Sequence, residues 1–338
     1  MKILVTGGTG YIGSHTICDL DENEFEAISL DNNCRSKADA IDLINKITKN
    51  KIENHSIDLC DKAVLFDFFK QNKDIEGIIH FAALKSVSES VAKPLEYYRN
   101  NIQSLNNLLE ACNEFAIPYF VFSSSCSVYG NVTNLPVTED TPFSKAESSY
   151  AHTKQIGEEI IHHFAKTSKT QFVLLRYFNP AGAHPSGNIG EDPAGEAMNI
   201  VPRITGTAIG KYEKLIVFGN DYPTSDGTCI RDYIHVMDIA SAHTKALQYL
   251  FAKKNEEQVT VFNLGTGDGI SVLEIIQSFE KVSGLKLNYQ IAPRRAGDVI
   301  AIFANNNKAK TILGWQIKYS LDDMMRTAWE WEKKMNKA

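Results

Sequence analysis

The chain has 338 residues, 43% hydrophobic and 22% charged, enough to bury one large or two modest cores. Its net charge of −6 argues against general affinity for nucleic acid or anionic membranes, so an anionic ligand must meet locally placed Arg or Lys. The six cysteines (Cys18, Cys34, Cys60, Cys112, Cys126, Cys229) form no CxxC pair, which speaks against a zinc knuckle or disulfide framework and for isolated thiols in a reducing compartment.

Met1 to Val5 runs straight into a glycine loop, and no apolar run approaches the ~20 residues that span a bilayer; the expectation is a cytoplasmic protein without a leader. Residues 2–6 read as a buried strand. The loop Thr6-Gly7-Gly8-Thr9-Gly10-Tyr11-Ile12-Gly13 follows, and then a helix. In this arrangement Gly7 takes the tight turn, Gly10 lets backbone approach a pyrophosphate, and Gly13 permits close helix packing. The helix N-terminus offers free N–H groups and a positive dipole end to phosphates. A second strand over 26–31 ends at Asp31, whose carboxylate accepts from an adenosine ribose and repels a 2′-phosphate. Arg35 argues the other way, towards NADP, but Asp31 at the strand tip outweighs it, and NAD is expected.

Further buried strands are predicted over 77–81, 119–123 and 172–177, with helices between them. The helix over 97–115 carries a stripe of Tyr98, Ile102, Leu105, Leu109 and Cys112, and the helix from 148 to 166 carries Tyr150, Lys154 and Ile161 on one side. After Tyr177 the texture changes to Asn179-Pro180, His184-Pro185-Ser186-Gly187 and Asp221-Tyr222-Pro223, which are turn signals. A strand over 215–218, a helix over 236–251, a strand over 259–264 and a closing helix over 321–334 are expected. The fold class is α/β: a Rossmann-type doubly wound parallel sheet with a smaller α/β substrate-binding domain. The expected division is 1–180 for the cofactor domain, with the chain returning to it around 232–265, and 181–338 for the substrate domain.

Tyr150-Ala151-His152-Thr153-Lys154 places a phenol and an ammonium on one helical face. A phenol, with an ordinary pKa of ~10, is a poor base at neutral pH, but a neighbouring cation favours its phenolate. Ser123, Ser124 and Ser125 close the preceding strand, and strand ends of such sheets point into the ligand crevice. Ser125 therefore shares a substrate hydroxyl with Tyr150. No metal ligand set is expected.

With these residues the chain resembles the extended short-chain dehydrogenase/reductase family and, within it, the nucleotide-sugar 4-epimerases. The match runs nearly the whole length, through TGGTGYIGSHT, LDNNCRS, HFAALKSVSES, PLEYYRNN, FSSSCSVYG, YAHTK, LRYFNPAGAHPSG, FGNDYPTSDGT, IRDYIHVMD and APRRAGD. The resemblance implies an NAD-dependent isomerase that interconverts UDP-glucose and UDP-galactose at C4 and forms a homodimer. It implies NAD contacts from Tyr11, Ile12, Asp31, Asn32, Asn33, Cys34, Arg35, Ser36, Asp58, Leu59, Phe81, Ala82, Ala83, Lys85, Asn100 and Phe178. It places Asn179, Asn199, Ile200, Val217, Phe218, Arg231, Arg295 and Asp298 at the UDP-sugar. Arg231 and Arg295 are planar donors suited to a diphosphate, and Phe218 suits stacking on uracil.

Two alternatives share the scaffold. A 4,6-dehydratase needs an Asp-Glu pair just after the strand-end hydroxyl, where this chain has Cys126 and Ser127. A simple dehydrogenase releases its cofactor and shows net redox. Ala83, Cys126, Ala296 and Ile302 depart from the commonest family pattern, which has Gly, Ala, Glu and a gate residue there. A large aromatic gate excludes N-acetylated sugars and a small one admits them. Ile302 is intermediate, so UDP-N-acetylglucosamine 4-epimerase or dual activity is the alternative reading.

Overall fold

The computed structural model describes residues 1–37, 39–193, 195–295 and 299–336. Seven parallel strands form its main sheet: β1 (Lys2–Thr6), β2 (Glu26–Leu30), β3 (Asn54–His55), β4 (Ile75–His80), β5 (Tyr119–Ser125), β6 (Gln171–Tyr177) and β7 (Val259–Leu264). Their spatial order is β7-β6-β5-β4-β1-β2-β3, every pair parallel. The order reverses between β1 and β4, and ligands of such sheets bind at the strand carboxyl ends beside that reversal.

The strands form as they do because both faces are covered. Ile3, Leu4 and Val5 are fully buried, as are Phe172, Val173, Leu174 and Leu175, the continuous apolar runs of a doubly covered sheet. Alternation then sorts them: Ile3, Val5, Val121 and Val173 enter one core, while Leu4, Phe120, Phe122 and Leu174 enter the other. Helix α1 (Tyr11–Glu22) and helix α4 (Val236–Phe251) pack together on the first face; α2 (Pro94–Glu114) and α3 (Ser149–Ala165) pack together on the second. The α3 start is set by Ser148, whose hydroxyl accepts from the Ala151 amide at 3.1 Å, a cap worth about 1 kcal/mol. That start puts Tyr150 in the first helical turn.

Beyond β6 the chain leaves the sheet, and it returns for α4 and β7. The outlying residues build a third core of Val201, Ile204, Leu215, Val217, Ile275, Phe279, Met324 and Met325. Its scaffold is α5 (Val272–Ser283), α6 (Leu321–Met335) and a parallel pair of strands, Leu215–Phe218 with Tyr289–Ala292. A small sheet joins Ile230–Arg231 to Ile270–Ser271 and Ala301–Ile302.

Two differences from the sequence reading have local causes. β5 extends two residues past 123 because Ser124 and Ser125 pair with Arg176 and Tyr177 of β6. In the α2 stripe, Leu105, Leu109 and Cys112 are core, whereas Tyr98 and Ile102 stay partly open, so one stripe serves two environments. Among the described residues no helix is long and apolar enough to cross a membrane.

Candidate active site

The turn between β1 and α1 depends on two glycines. Gly7 has φ +69°, and a Cβ there would lie 2.8 Å from the Ala82 amide nitrogen. A Cβ on Gly13 would lie 2.2 Å from the Gly7 carbonyl oxygen. Gly10 is the N-cap of α1, whose first turn has no side-chain cap and no acidic residue. Its backbone N–H groups are therefore left for an anion. Substituting Gly13→Ala forces this turn open, and purified protein should then carry little NAD by absorbance and extraction; a full cofactor load would show that the turn does not hold it.

Asp31, one residue beyond β2, accepts from the Thr9 amide at 3.3 Å and the Asn33 amide at 2.9 Å. Asn33 sits at φ +57°, which Asn tolerates, and its side chain donates to Thr9 Oγ1 and Ser36 Oγ, both at 3.1 Å. The Asn32 side chain accepts from the Cys34 amide. Thr9 and residues 31–36 thus form one hydrogen-bonded frame beside the glycine turn. Arg35 meets both Glu89 oxygens at 2.9 Å, and that guanidinium holds the Glu89 carboxyl below the usual carboxylate range. The cation that argued for a 2′-phosphate is therefore engaged elsewhere.

The other walls come from the ends of β3, β4 and β6. Asp58 accepts from the Cys60 amide at 2.9 Å; the Leu59 side chain is core, and its carbonyl accepts from Asn107. The Phe81 amide donates to the Thr6 carbonyl at 3.1 Å, its ring lies 4.5 Å from the His243 ring, and the Ala82 amide meets Thr6 Oγ1. Ala83 follows in the same bend, and Lys85 reaches Glu191 at 3.5 Å. Phe178 is buried, its amide on the Leu264 carbonyl. Ile12 packs on the first core, and the Tyr11 phenol donates to the Gly182 carbonyl at 2.6 Å, bridging α1 to the segment after Asn179–Ala181. Asn100 donates to Asn101 at 3.0 Å.

Asn101 escaped the sequence reading. Its side chain holds the Leu84 backbone at both ends, at 2.8 and 3.0 Å, and donates to Thr153 Oγ1 at 3.1 Å. Thr153 in turn donates to the Tyr150 carbonyl. One buried amide thereby ties the bend after β4 to the first turn of α3. The available signal was the Asn pair in PLEYYRNN, which does not say which Asn faces inward.

Ser125, Tyr150 and Lys154 meet at the end of β5. Burial pushes the Tyr150 phenol up to about 12, and the Ser125 hydroxyl acts to lower it. Lys154 is buried; its Nζ donates to the Ser123 carbonyl at 2.6 Å, lies 4.9 Å from the Phe122 ring centroid and 6.0 Å from that of Tyr150. Burial pushes Lys154 down to about 8, opposed by the Glu158 carboxylate. Phenol, hydroxyl and ammonium thus gather at the end of β5, on the same edge of the parallel sheet as the glycine turn. After Ser125 a short turn, Cys126–Tyr129, begins; the Ser127 amide caps back on Ser125 Oγ at 3.2 Å, and burial pushes the Cys126 thiol up to about 12. No acid pair stands there.

On the substrate side Phe218 is 38% exposed with the Arg295 guanidinium 5.5 Å from its ring centroid, a flat cationic-aromatic surface. Arg231 donates to the Ile230 and Val299 carbonyls at 2.8 and 2.6 Å, and its charge acts on Cys126. The Asn179 amide donates to the Asp232 carbonyl at 2.9 Å, the Asn199 side chain donates to Glu191 at 2.6 Å, and Ile200 packs on the third core. Val217 points into that core, because alternate residues of its strand face opposite ways, so only its backbone remains for a ligand. Asp298 and Ala296 lie outside the described residues. Ile302 is buried beside Phe178, Tyr129 and Val128, with Cys126 packed against the same group.

Fold and site together define the class: a dinucleotide-binding oxidoreductase scaffold with a serine, a tyrosine and a lysine gathered at the end of β5. A family model described as GDP-mannose 4,6 dehydratase matches residues 4–328. The UDP-glucose 4-epimerase of Bacillus subtilis is 46% identical over 98% of this chain and 97% of its own. Among solved structures, the UDP-glucose 4-epimerase of Bifidobacterium longum in complex with NAD+ and UDP superposes with a TM-score of 0.94 at 41% identity, covering 99% of this chain and 98% of that one. The enzyme of Stenotrophomonas maltophila, with bound NAD and formylated UDP-arabinopyranose, gives 0.96 at 41% identity over 100% and 99%. The chain belongs to the UDP-glucose 4-epimerase family. It is accordingly an NAD-dependent isomerase, and the absent acid pair after Ser125 agrees with epimerisation over dehydration.

Proposed function

We propose that the protein interconverts UDP-glucose and UDP-galactose by transient oxidation at sugar C4, with NAD held throughout. The observation that carries this reading is the meeting of Ser125, Tyr150 and Lys154 at the end of β5, on the sheet edge that bears the glycine turn, with no acid pair following. The residues fit NAD: the turn at Gly7 and Gly13 admits no Cβ, the α1 N-terminus is uncapped, and Asp31 stands at the β2 tip. When bound, NAD supplies reversible hydride acceptance at C4.

Tyr150, as phenolate, removes the proton from the 4-hydroxyl, and Lys154 stabilises that phenolate. Ser125 bridges the hydroxyl and holds it towards Tyr150. A 4-keto sugar results; it turns in the site and is reduced on its opposite face while Tyr150 returns the proton. The sugar must turn while UDP stays fixed, so Arg231, Arg295 and Phe218 form the anchor, joined by Asn179, Asn199, Ile200, the Val217 backbone and Asp298. NAD is held by Gly7, Gly10, Tyr11, Ile12, Gly13, residues 31–36, Asp58, Leu59, Phe81, Ala82, Ala83, Lys85, Asn100 and Phe178, with Ser125, Tyr150 and Lys154 at its nicotinamide end.

Residues 1–180 with the returning segment 232–265 form the cofactor domain, and the remainder of 181–338 the UDP-sugar domain. A homodimer is favoured by Val87, Val91 and Leu95, exposed by 54%, 62% and 74% on neighbouring helical turns. A cytoplasmic location is supported by the six cysteines, none of which is joined in a disulfide.

Ile302 narrows the space beside Phe178. UDP-glucose and UDP-galactose should therefore turn over faster than the N-acetylated pair, and Ile302→Ala should raise kcat/KM for the latter by about 10-fold. Assaying both pairs with both proteins checks this; faster turnover of the N-acetylated pair by the wild type would assign the other substrate.

A further inference from the structure

Behind the Tyr150–Lys154 pair lies a buried ionic cluster that the reaction as written does not use. Glu158 follows Lys154 by one turn of α3, and its side chain is essentially inaccessible to solvent. Arg176 of β6 grips it with Nε to Oε1 at 2.9 Å and Nη2 to Oε2 at 2.6 Å, and the Ser124 hydroxyl of β5 donates to Oε1. Arg176 is itself fixed, donating through Nη1 to the Tyr129 hydroxyl and the Glu139 carbonyl, both at 3.0 Å. The carboxylate is thus held rigidly against the strand segment whose neighbours are Ser123, which receives the Lys154 ammonium, and Ser125, which acts on Tyr150.

A buried ammonium without a counter-charge loses its proton. The groups around Lys154 give it little else. From β5 come the Ser123 carbonyl and the Phe122 ring; from β4 comes His80, pushed down to about 3 by burial and by the lysine itself, hence neutral. Tyr177 of β6 bonds the Ser123 hydroxyl, and its phenol is held neutral by burial; α2 presents the apolar Leu105, buried in the same core as Phe122. Glu158 is the carboxylate that acts on Lys154.

We propose that Glu158 is a positioning residue of the reaction: fixed by Arg176 and Ser124 one helical turn beyond Lys154, it keeps the Lys154 ammonium charged in a dry site. This rests on the reading that Tyr150 and Lys154 carry the proton chemistry. Without Glu158 the lysine loses its proton at lower pH and supports the phenolate less.

The test measures kcat against pH for NAD-loaded wild type, Glu158→Gln, and the double variant Glu158→Gln/Arg176→Gln, which leaves no guanidinium buried alone. The alkaline limb should move to lower pH by about 1 unit or more in both variants. In parallel, the tyrosinate difference absorbance between each protein and its Tyr150→Phe counterpart, read without turnover, should show Tyr150 ionising at higher pH once Glu158 is gone. An unmoved limb and an unmoved tyrosinate titration, with only thermal stability or KM changed, would overturn the proposal. So would a double variant that no longer folds, since the pair would then be structural. Wild type that fails to epimerise sinks the functional reading instead, while the tyrosinate titration still decides the role of Glu158.

Discussion

Tyr150→Phe lowers kcat by about 10²- to 10⁴-fold, the usual contribution of a positioned acid–base group, while the protein stays folded and NAD-loaded. The substitution removes one hydroxyl from a side chain whose ring remains in place. What is lost is the oxygen on which Ser125 acts, and with it the acceptor for the 4-hydroxyl proton. The cation next door is unaffected, since Lys154 holds the Ser123 carbonyl independently. Initial rates with UDP-galactose, together with circular dichroism and extracted cofactor, check this. Near-normal turnover would mean that another group takes the proton.

Lys154→Met moves the acid limb of the kcat–pH profile to higher pH and slows the reaction at neutrality. Burial, with the neighbouring Cys126, pushes Tyr150 up to about 12, too high for a base near neutral pH. Lys154, pushed down to about 8, still carries its proton at pH 7 by roughly ten to one. Its ammonium, 6.0 Å from the phenol ring centroid, favours the phenolate and so lowers the pH at which the base forms. Removing that charge raises the required pH by about 1 unit or more. Methionine keeps an unbranched apolar stem but removes the Nζ that meets Phe122 and Ser123, so the shift reports the loss of the ammonium. A profile identical to wild type would contradict the electrostatic role.

The local and periodic features of this protein were legible in its residues. A strand over 2–6, a glycine turn and an aspartate at the next strand tip sit within 31 residues of one another, and each needs only neighbours in sequence to be recognised. The helical spacing of Tyr150 and Lys154 and their serine partner likewise followed from period and strand-end logic. What was not legible depends on contacts between distant elements. Nothing about Glu158 or Arg176 separately announces a buried pair, because the pair exists only where β5, β6 and α3 converge. Asn101 had the same fate, since its partners Leu84 and Thr153 come from two other segments. The two-residue strand Asn54–His55 is too short to show a period. Along the chain alone Arg35 weighs against Asp31, and only the fold brings Glu89 to it.

The central claim is a closed redox cycle at C4 on one bound cofactor. The most direct test adds UDP-glucose to purified protein with no nicotinamide supplied, then follows the sugar by proton NMR and the solution by near-ultraviolet absorbance. The account predicts conversion to UDP-galactose, approach to the same ratio from either sugar, and no reduced nicotinamide accumulating in solvent. Reduced cofactor appearing in proportion to sugar consumed, or UDP-glucose left unchanged by NAD-loaded protein, would contradict it.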